Sequence, residues 1–319
     1  MLTSKSFSVF SFTFLVILLL SLLSHYLVLA HLNDKRRSNP FEFIEYLKGC
    51  HKGDKVKGIH DLKIYLEMFG YIDNNNYSKN QTHVNDDDFD ELLESAIKIY
   101  QLNYHLQSTG VLDANTVRMM EKPRCGVADI INGTTRMLYG KKRQQNHHGS
   151  SLFHTVDHYE FIEGNPKWPA SKFNLTYGFA PGTRVDAKNP IAQAFQTWAM
   201  NTPFKFSEIP NYESADIKIG FRSGEHEDED PFDGRGGILA HANPPTEGIL
   251  HFDADEPWGV GTTKGVFDLE SVALHEIGHV LGLGHSSVKD SIMYATLGSG
   301  VRKGLHEDDI KGIKALYGV

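Results

Sequence analysis

Three histidines and one glutamate at fixed spacing are the residues of this chain best suited to chemistry. They lie in His275-Glu276-Ile277-Gly278-His279-Val280-Leu281-Gly282-Leu283-Gly284-His285. Residues four apart share a helical face, so His275 and His279 can reach one ion together. Glu276 is one residue further on. It points differently and is placed to hold a water rather than bind the ion. Gly282 lets the chain leave the helix sharply, and His285 then returns as a third imidazole. Three neutral histidines leave one tetrahedral position open, as a catalytic zinc requires. Zinc held this way polarises a carbonyl and lowers the pKa of water towards about 7, while Glu276 takes a proton and passes it to a leaving amine. The expected chemistry is hydrolysis. Five fixed residues at this spacing arise by chance in roughly one such chain in ten thousand, by one-in-twenty counting. Unrelated histidines on a helix are therefore the weaker reading. Downstream, Ser291-Ile292-Met293-Tyr294 supplies a methionine for a turn beneath the metal.

Two other clusters carry metal-binding residue types. Pro123-Arg124-Cys125-Gly126-Val127-Ala128-Asp129 holds one of the 2 cysteines. A thiol beside Arg124 is expected to favour thiolate, a strong zinc ligand able to fill the open position and displace the catalytic water. The alternative is a disulfide between Cys50 and Cys125, which an oxidising compartment permits. His226 and Asp228 sit in a loop, and His241 and His251 follow on two adjacent strands. Together they make a closed set of three nitrogens and one oxygen, the signature of a structural zinc.

The elements that must position these residues fall into two halves. FEFIEYLKG, VKGIHDLKIYLEMFGYI and DDDFDELLESAIKIYQLNYHL read as helices, with Ile59, Leu62, Leu66 and Phe69 on one face of the second. Residues 113–121 make a fourth short helix with Asp113 as its N-cap. From Lys172 the pattern becomes β-α-β-β-β-β-α-α, an α+β layout. Asp268 caps the helix that carries His275. The expected organisation is a signal peptide at 1–30, a helical prodomain at 31–133, a linker or activation region at 134–153, and a catalytic domain at 154–319. Lys141–Arg143 in the linker reads either as a cleavage site or as a solvated charge run.

Residues 7–30 are almost wholly apolar, preceded by Lys5 and followed by HLNDKRR. A secretory signal cut near Ala30 is expected, and an uncleaved membrane anchor is the competing reading. Sequons at Asn76, Asn80, Asn132 and Asn174 suit a secreted glycoprotein. No apolar tail follows at the C-terminus, so no second span or lipid anchor is expected there. The net charge is -8, which argues against a nucleic-acid partner. The acidic excess lies in the second half, with nine of the 17 histidines. Such a half is either heavily solvated or holds cations.

With these motifs, residues 41 to 319 closely resemble the matrix metalloproteinases, the matrixin branch of the metzincins. HEIGHVLGLGHS and SIMY match the catalytic signature, and GCHKGDKVKGIHDLKIYLEMFGYI is most similar to plant members without a haemopexin-like domain. The resemblance implies a metzincin catalytic domain with a twisted, mostly parallel five-stranded sheet and three helices, following a helical-bundle prodomain. It implies a cysteine switch, in which Cys125 ligates the catalytic zinc, Arg124 pairs with Asp129, and the prodomain is the inhibitor. Ala128 departs from the usual proline. It implies His226, Asp228, His241 and His251 as ligands of a structural zinc. It also implies a Ca2+ site with Asp233, Asp253 and Glu256 as carboxylate ligands and Gly234, Gly236 and Ile238 as carbonyl ligands. Arg235 departs from a usual proline there. Asp216 matches one ligand of a second calcium site whose remaining ligands are altered here.

Extended peptides are the implied substrates, added beside the strand 238–242. An apolar pocket after the scissile bond, walled by Met293-Tyr294-Ala295, is implied to prefer Leu-like side chains, with the small Ser271 leaving it deep. After activation the new amino group is implied to pair with Asp308 or Asp309. The expected product is a monomeric, secreted zinc- and calcium-dependent endopeptidase made as a latent zymogen. The alternative is a non-catalytic binder of extracellular wall polymers, which the intact metal motif disfavours.

Overall fold

The structure is a computed structural model that describes residues 39–72, 86–131, 134–135, 159, 161–162, 164–228 and 230–319. The expected signal segment, nearly all of the linker, and Asn76, Asn80 and Asn132 lie outside the described residues.

The N-terminal region is helical, as expected from its periodicity. Its first segment is a 3-10 helix, Glu42–Leu47, which suits the spacing of three between the buried Ile44 and Leu47. Tyr46, between them, is exposed. α1 (Ile59–Met68), α2 (Glu91–Asn103) and α3 (Ala114–Met120) follow. Asp90 caps α2 by accepting from Leu93 N, and Asp113 caps α3 by accepting from Asn115 N and Thr116 N. Ile59, Leu62 and Leu66 bury one face of α1 against Leu93, Ile97 and Tyr100 of α2.

The second region is α+β, with five mostly parallel strands and three helices in the expected order. These are β2 (Asn174–Phe179), α4 (Val185–Ala199), β3 (Lys205–Glu208), β4 (Ile217–Arg222), β5 (Ile238–Ala242), β6 (Ile249–Asp253), α5 (Leu269–Val280) and α6 (Glu307–Tyr317). A short strand from the N-terminal region, β1 (Arg124–Cys125), joins their sheet in the order β1-β5-β6-β4-β2-β3. Only β5 runs antiparallel to its neighbour β6. β1 runs parallel to β5.

α5 is buried on nearly every side, so its polar residues sit inside the protein. Asp268 caps it by accepting from Ser271 N, as the sequence predicts. Trp198 of α4 donates its indole N–H to the Leu274 carbonyl at 2.8 Å. The two regions also share apolar packing: Phe232, Ile238, Tyr294 and Ala295 belong to the buried cluster of the helical region.

Candidate metal centres

The histidines of α5 and its exit converge. His279 Nε2 lies 3.1 Å from His275 Nε2 and 3.2 Å from His285 Nε2. On the far side of each ring Nδ1 faces an acceptor. His275 donates to the Ile292 carbonyl at 2.6 Å, His279 to the Leu283 carbonyl at 2.8 Å, and His285 to Asp129 Oδ1 at 2.8 Å. Each Nδ1 therefore carries the proton, and each Nε2 presents a bare lone pair. Three lone pairs facing one another this closely repel unless a cation lies between them. Zinc bonds of about 2.0 Å to nitrogen give tetrahedral edges of about 3.3 Å, which these separations fit. Burial and the neighbouring His285 hold His275 well below the ordinary imidazole range, which keeps it in the neutral form a metal needs.

Local sequence explains the convergence. The chain turns at Gly282, whose φ of 101° favours glycine; a Cβ there would lie 2.3 Å from the Pro166 carbonyl oxygen. Gly278 faces Met293, and a Cβ at Gly278 would lie 2.3 Å from the methionine sulfur. Met293 thus lies directly against the helix, as a turn beneath the metal requires. Asp309 fixes that turn by accepting from Ile292 N at 2.9 Å, Met293 N at 3.1 Å and the Ser291 hydroxyl.

Cys125 supplies a fourth donor. Its Sγ lies 3.5 Å from both His279 Nε2 and Glu276 Oε2. The four donor atoms of Cys125, His275, His279 and His285 lie within 4.8 Å of one another. Cys50 and Cys125 are both free, which disposes of the disulfide alternative. The expected effect of Arg124 on the thiol is present but outweighed. Its guanidinium is turned onto Asp129 at 2.8 Å and lies over the Phe69 ring. Burial and the Glu276 carboxylate together push the Cys125 thiol up, so a cation rather than Arg124 has to make it a thiolate. Glu276 is wholly buried, its Oε1 has no partner, and burial pushes its carboxyl up to about 8.

The segment carrying Cys125 threads a cleft as an extended chain. Arg124 N donates to the Gly237 carbonyl at 2.9 Å and Gly126 N to the Ala240 carbonyl at 2.8 Å on the β5 side. Opposite, Cys125 N donates to the Ala295 carbonyl at 2.9 Å, and Leu297 N donates to the Pro123 carbonyl at 3.1 Å.

His226, Asp228, His241 and His251 also come together. His241 on β5 stands directly opposite His251 on β6, so the antiparallel register sets the two rings side by side. His241 Nε2 is 2.9 Å and His251 Nδ1 2.7 Å from Asp228 Oδ2. His226 Nε2 is 3.0 Å from Asp228 Oδ1 but is not aligned to hydrogen-bond with it. The four donors again lie within 4.8 Å of one another. Burial pushes His251 down to about 4, so its imidazole is neutral and fit for a metal. Phe232 stacks on His226 and His241 and seals the cage.

Asp233, Asp253 and Glu256 come together more loosely. The residues expected to offer carbonyls give N–H groups here: Ile238 to Asp233 at 2.9 Å, Gly236 to Glu256, and Gly234 to Asp253. Burial, helped at Asp253 and Glu256 by repulsion from neighbouring carboxylates, pushes Asp233 and Asp253 up to about 7 and Glu256 to about 8. Asp253 Oδ2 and Glu256 Oε2 are buried without a partner, which suits a cation. Asp216 is differently placed: it accepts from Lys172 Nζ and from the Thr176 N–H and hydroxyl, both at 2.9 Å. The Lys172 ammonium thus pairs with this carboxylate.

Two site contacts escaped sequence reasoning, that of Asp309 with the methionine turn and that of Asp129 with His285. The partners lie 16 and 156 residues apart, and no local motif links either pair.

A buried three-histidine centre on a helix, backed by a methionine turn and an α+β sheet, defines a metzincin-type metallopeptidase. The matrixin family model matches residues 167–318, and a "Putative peptidoglycan binding domain" model matches residues 55–120. Metalloendoproteinase 5-MMP of Arabidopsis thaliana is 45% identical over 292 residues, covering 88% of this chain and 76% of its own. Metalloendoproteinase 1 of Glycine max is 45% identical over 278 residues, covering 84% of this chain and 85% of its own. Matrix metalloproteinase-20 of Homo sapiens is 39% identical over 231 residues, 70% of this chain and 41% of its own. The chain belongs to the matrixin family of zinc metalloendopeptidases.

Proposed function

We propose that this chain is a secreted, zinc- and calcium-dependent endopeptidase, held latent by its own N-terminal region, that cuts extended segments of extracellular proteins before an apolar residue. The observation that carries this is the convergence of three Nε2 lone pairs beside a buried, unpartnered Glu276 oxygen, with a thiol in the fourth position. His275, His279 and His285 would hold the catalytic zinc. Zinc there supplies Lewis acidity, polarising the scissile carbonyl and making water a nucleophile near neutral pH. Glu276 accepts the proton of the attacking water at its free carboxylate oxygen and delivers it to the leaving amine. Cys125 stands where that water must enter, so the N-terminal segment has to leave first.

The cleft occupied by residues 123–126 is lined by the Gly237 and Ala240 carbonyls on one side and by the Ala295 carbonyl and Leu297 N–H on the other. That lining suits any extended chain, and side-chain pockets are left to select. The pocket wall Met293-Tyr294-Ala295 is buried in this latent arrangement, with Tyr104 edge-on to Tyr294 at 5.9 Å. Ser271 Oγ donates to Asp268 and accepts from Lys303 N, which ties the segment following that wall to α5. After cleavage, Asp308 is the proposed partner of the new amino group, because Asp309 already holds the methionine turn.

His226, Asp228, His241 and His251 would hold a structural zinc. Asp233, Asp253 and Glu256 would hold calcium, whose charge satisfies the two unpartnered buried oxygens. Secretion is supported by the apolar segment 7–30, and glycosylation by the exposed Asn174. Among the described residues no helix is long and apolar enough to cross a membrane.

The test is a peptide-library digest with the full chain before and after proteolytic removal of the N-terminal region, with and without a zinc chelator. Cleavage before Leu-like residues is expected only after removal and only without chelator. Cleavage that survives chelation, or a preference for charged residues, would overturn the reading.

A further inference from the structure

We propose that Asp129 is a positioning residue of the metal centre: from the N-terminal region it orients His285 and strengthens it as a donor, so the latent chain grips its metal through an outer carboxylate as well as a thiol. The proposal rests on the reading of Cys125 as fourth donor given above.

The three histidines differ in what receives their Nδ1 proton. For His275 and His279 the acceptors are the carbonyls of Ile292 and Leu283, which stay with α5 whatever the N-terminal region does. For His285 it is a carboxylate oxygen at 2.8 Å, 156 residues earlier in the chain. An anionic acceptor draws the Nδ1 proton more strongly than an amide carbonyl. It locks the tautomer and makes Nε2 more basic.

Asp129 is itself held rigidly. Arg124 Nη2 donates to Oδ1 at 2.8 Å, and the Tyr71 and Tyr104 hydroxyls donate to Oδ2 at 2.8 and 3.1 Å. Asp129, His285 and Arg124 are all buried. The carboxylate therefore cannot swing away, and in this low-dielectric setting its pull on His285 is little screened by water. Arg124, Asp129, Tyr71 and Tyr104 all belong to the chain preceding the linker, so they leave together with Cys125. Removing the N-terminal region then costs the centre its thiol and deprives His285 of its anionic partner in one step.

The test compares the full-length chain with Asp129→Asn and Arg124→Gln, each loaded with zinc or with cobalt. Transfer of metal to excess chromogenic chelator gives the release rate. The thiolate-to-cobalt charge-transfer band reports whether Cys125 is bound. Asp129→Asn is expected to keep the band, release metal about 10- to 100-fold faster, and shift the His285 Nδ1–H proton resonance upfield. Arg124→Gln leaves the Asp129–His285 contact in place and should release metal far more slowly than Asp129→Asn. Equal release from parent and Asp129→Asn, equal release from the two variants, or loss of the band in Asp129→Asn would each overturn the proposal, the last two by reducing Asp129 to a support of the loop. If Asp129→Asn does not accumulate, the double variant Tyr71→Phe, Tyr104→Phe loosens the same carboxylate and should speed release in the same sense; parent-like release from it would count against the proposal. Absence of the band in the parent would instead overturn the reading of Cys125, and the release rates would still decide on Asp129.

Discussion

The two four-donor cages have nearly the same composition and draw their donors from the chain in opposite ways. One takes its donors from His226, Asp228, His241 and His251, all within one loop and two paired strands. The other takes three from α5 and its exit and the fourth from Cys125, 151 residues before Glu276. A cage closed by its own loop stays closed and stabilises the fold. A cage closed by a segment that proteolysis can remove can be opened for catalysis. Their electrostatics differ in the same sense. Burial opposes charge at Asp228, yet hydrogen bonds from His241 and His251 help hold it below the ordinary carboxylate range. Cys125, buried beside Glu276, is driven the other way and needs a cation to become a thiolate.

The comparison can be broken most sharply at Glu276. Glu276→Ala in the activated enzyme should lower peptide hydrolysis by roughly 10²- to 10⁴-fold while leaving metal content unchanged, as read by mass spectrometry of bound zinc. Near-parental turnover would show that another group moves the proton. Cys125→Ala should make the full-length chain active without cleavage; continued silence would mean that packing of Tyr104 and Arg124 blocks the cleft unaided. Asp228→Ala should remove one zinc per chain and lower the melting temperature of residues 154–319, with the helical region melting as before. Loss of both zinc ions would show the cages to be coupled. Gly278→Ala presses a methyl group onto Met293 and should cost about 1–3 kcal/mol in denaturant unfolding. The smallest effect is expected at Tyr71→Phe, which removes one hydrogen bond to Asp129 and should weaken docking of the N-terminal region by about 1 kcal/mol.

Much of this was legible because metal sites are built from rare residue types at short spacing. His275, Glu276, His279 and His285 are near neighbours in sequence, and a helix of known pitch converts their spacing into geometry. His241 and His251 followed from two recognisable strands. Asp113 and Asp268 were legible as caps because capping is local. What was hidden depends on contacts between distant segments. Arg124 adjoins Cys125 in sequence and does favour the thiolate, but only the fold reveals the burial and the Glu276 carboxylate that outweigh it. Asp216 read as a fragment of a calcium site, and only the fold brings Lys172 against it. The 3-10 helix at Glu42–Leu47 read as a longer helix because both forms bury residues three apart.

The pairing of β1 with β5 bears on solubility as well as on catalysis. A sheet edge left bare offers a row of unsatisfied N–H and C=O groups that will pair with any strand it meets, including the same edge of another molecule. In the full chain Arg124 and Cys125 cover that edge on β5. Once they depart, the groups that recognise a substrate are also the groups through which two copies could stick together. If the N-terminal region is removed on activation, as proposed, the bared β5 edge should make the activated enzyme the more aggregation-prone form at high concentration.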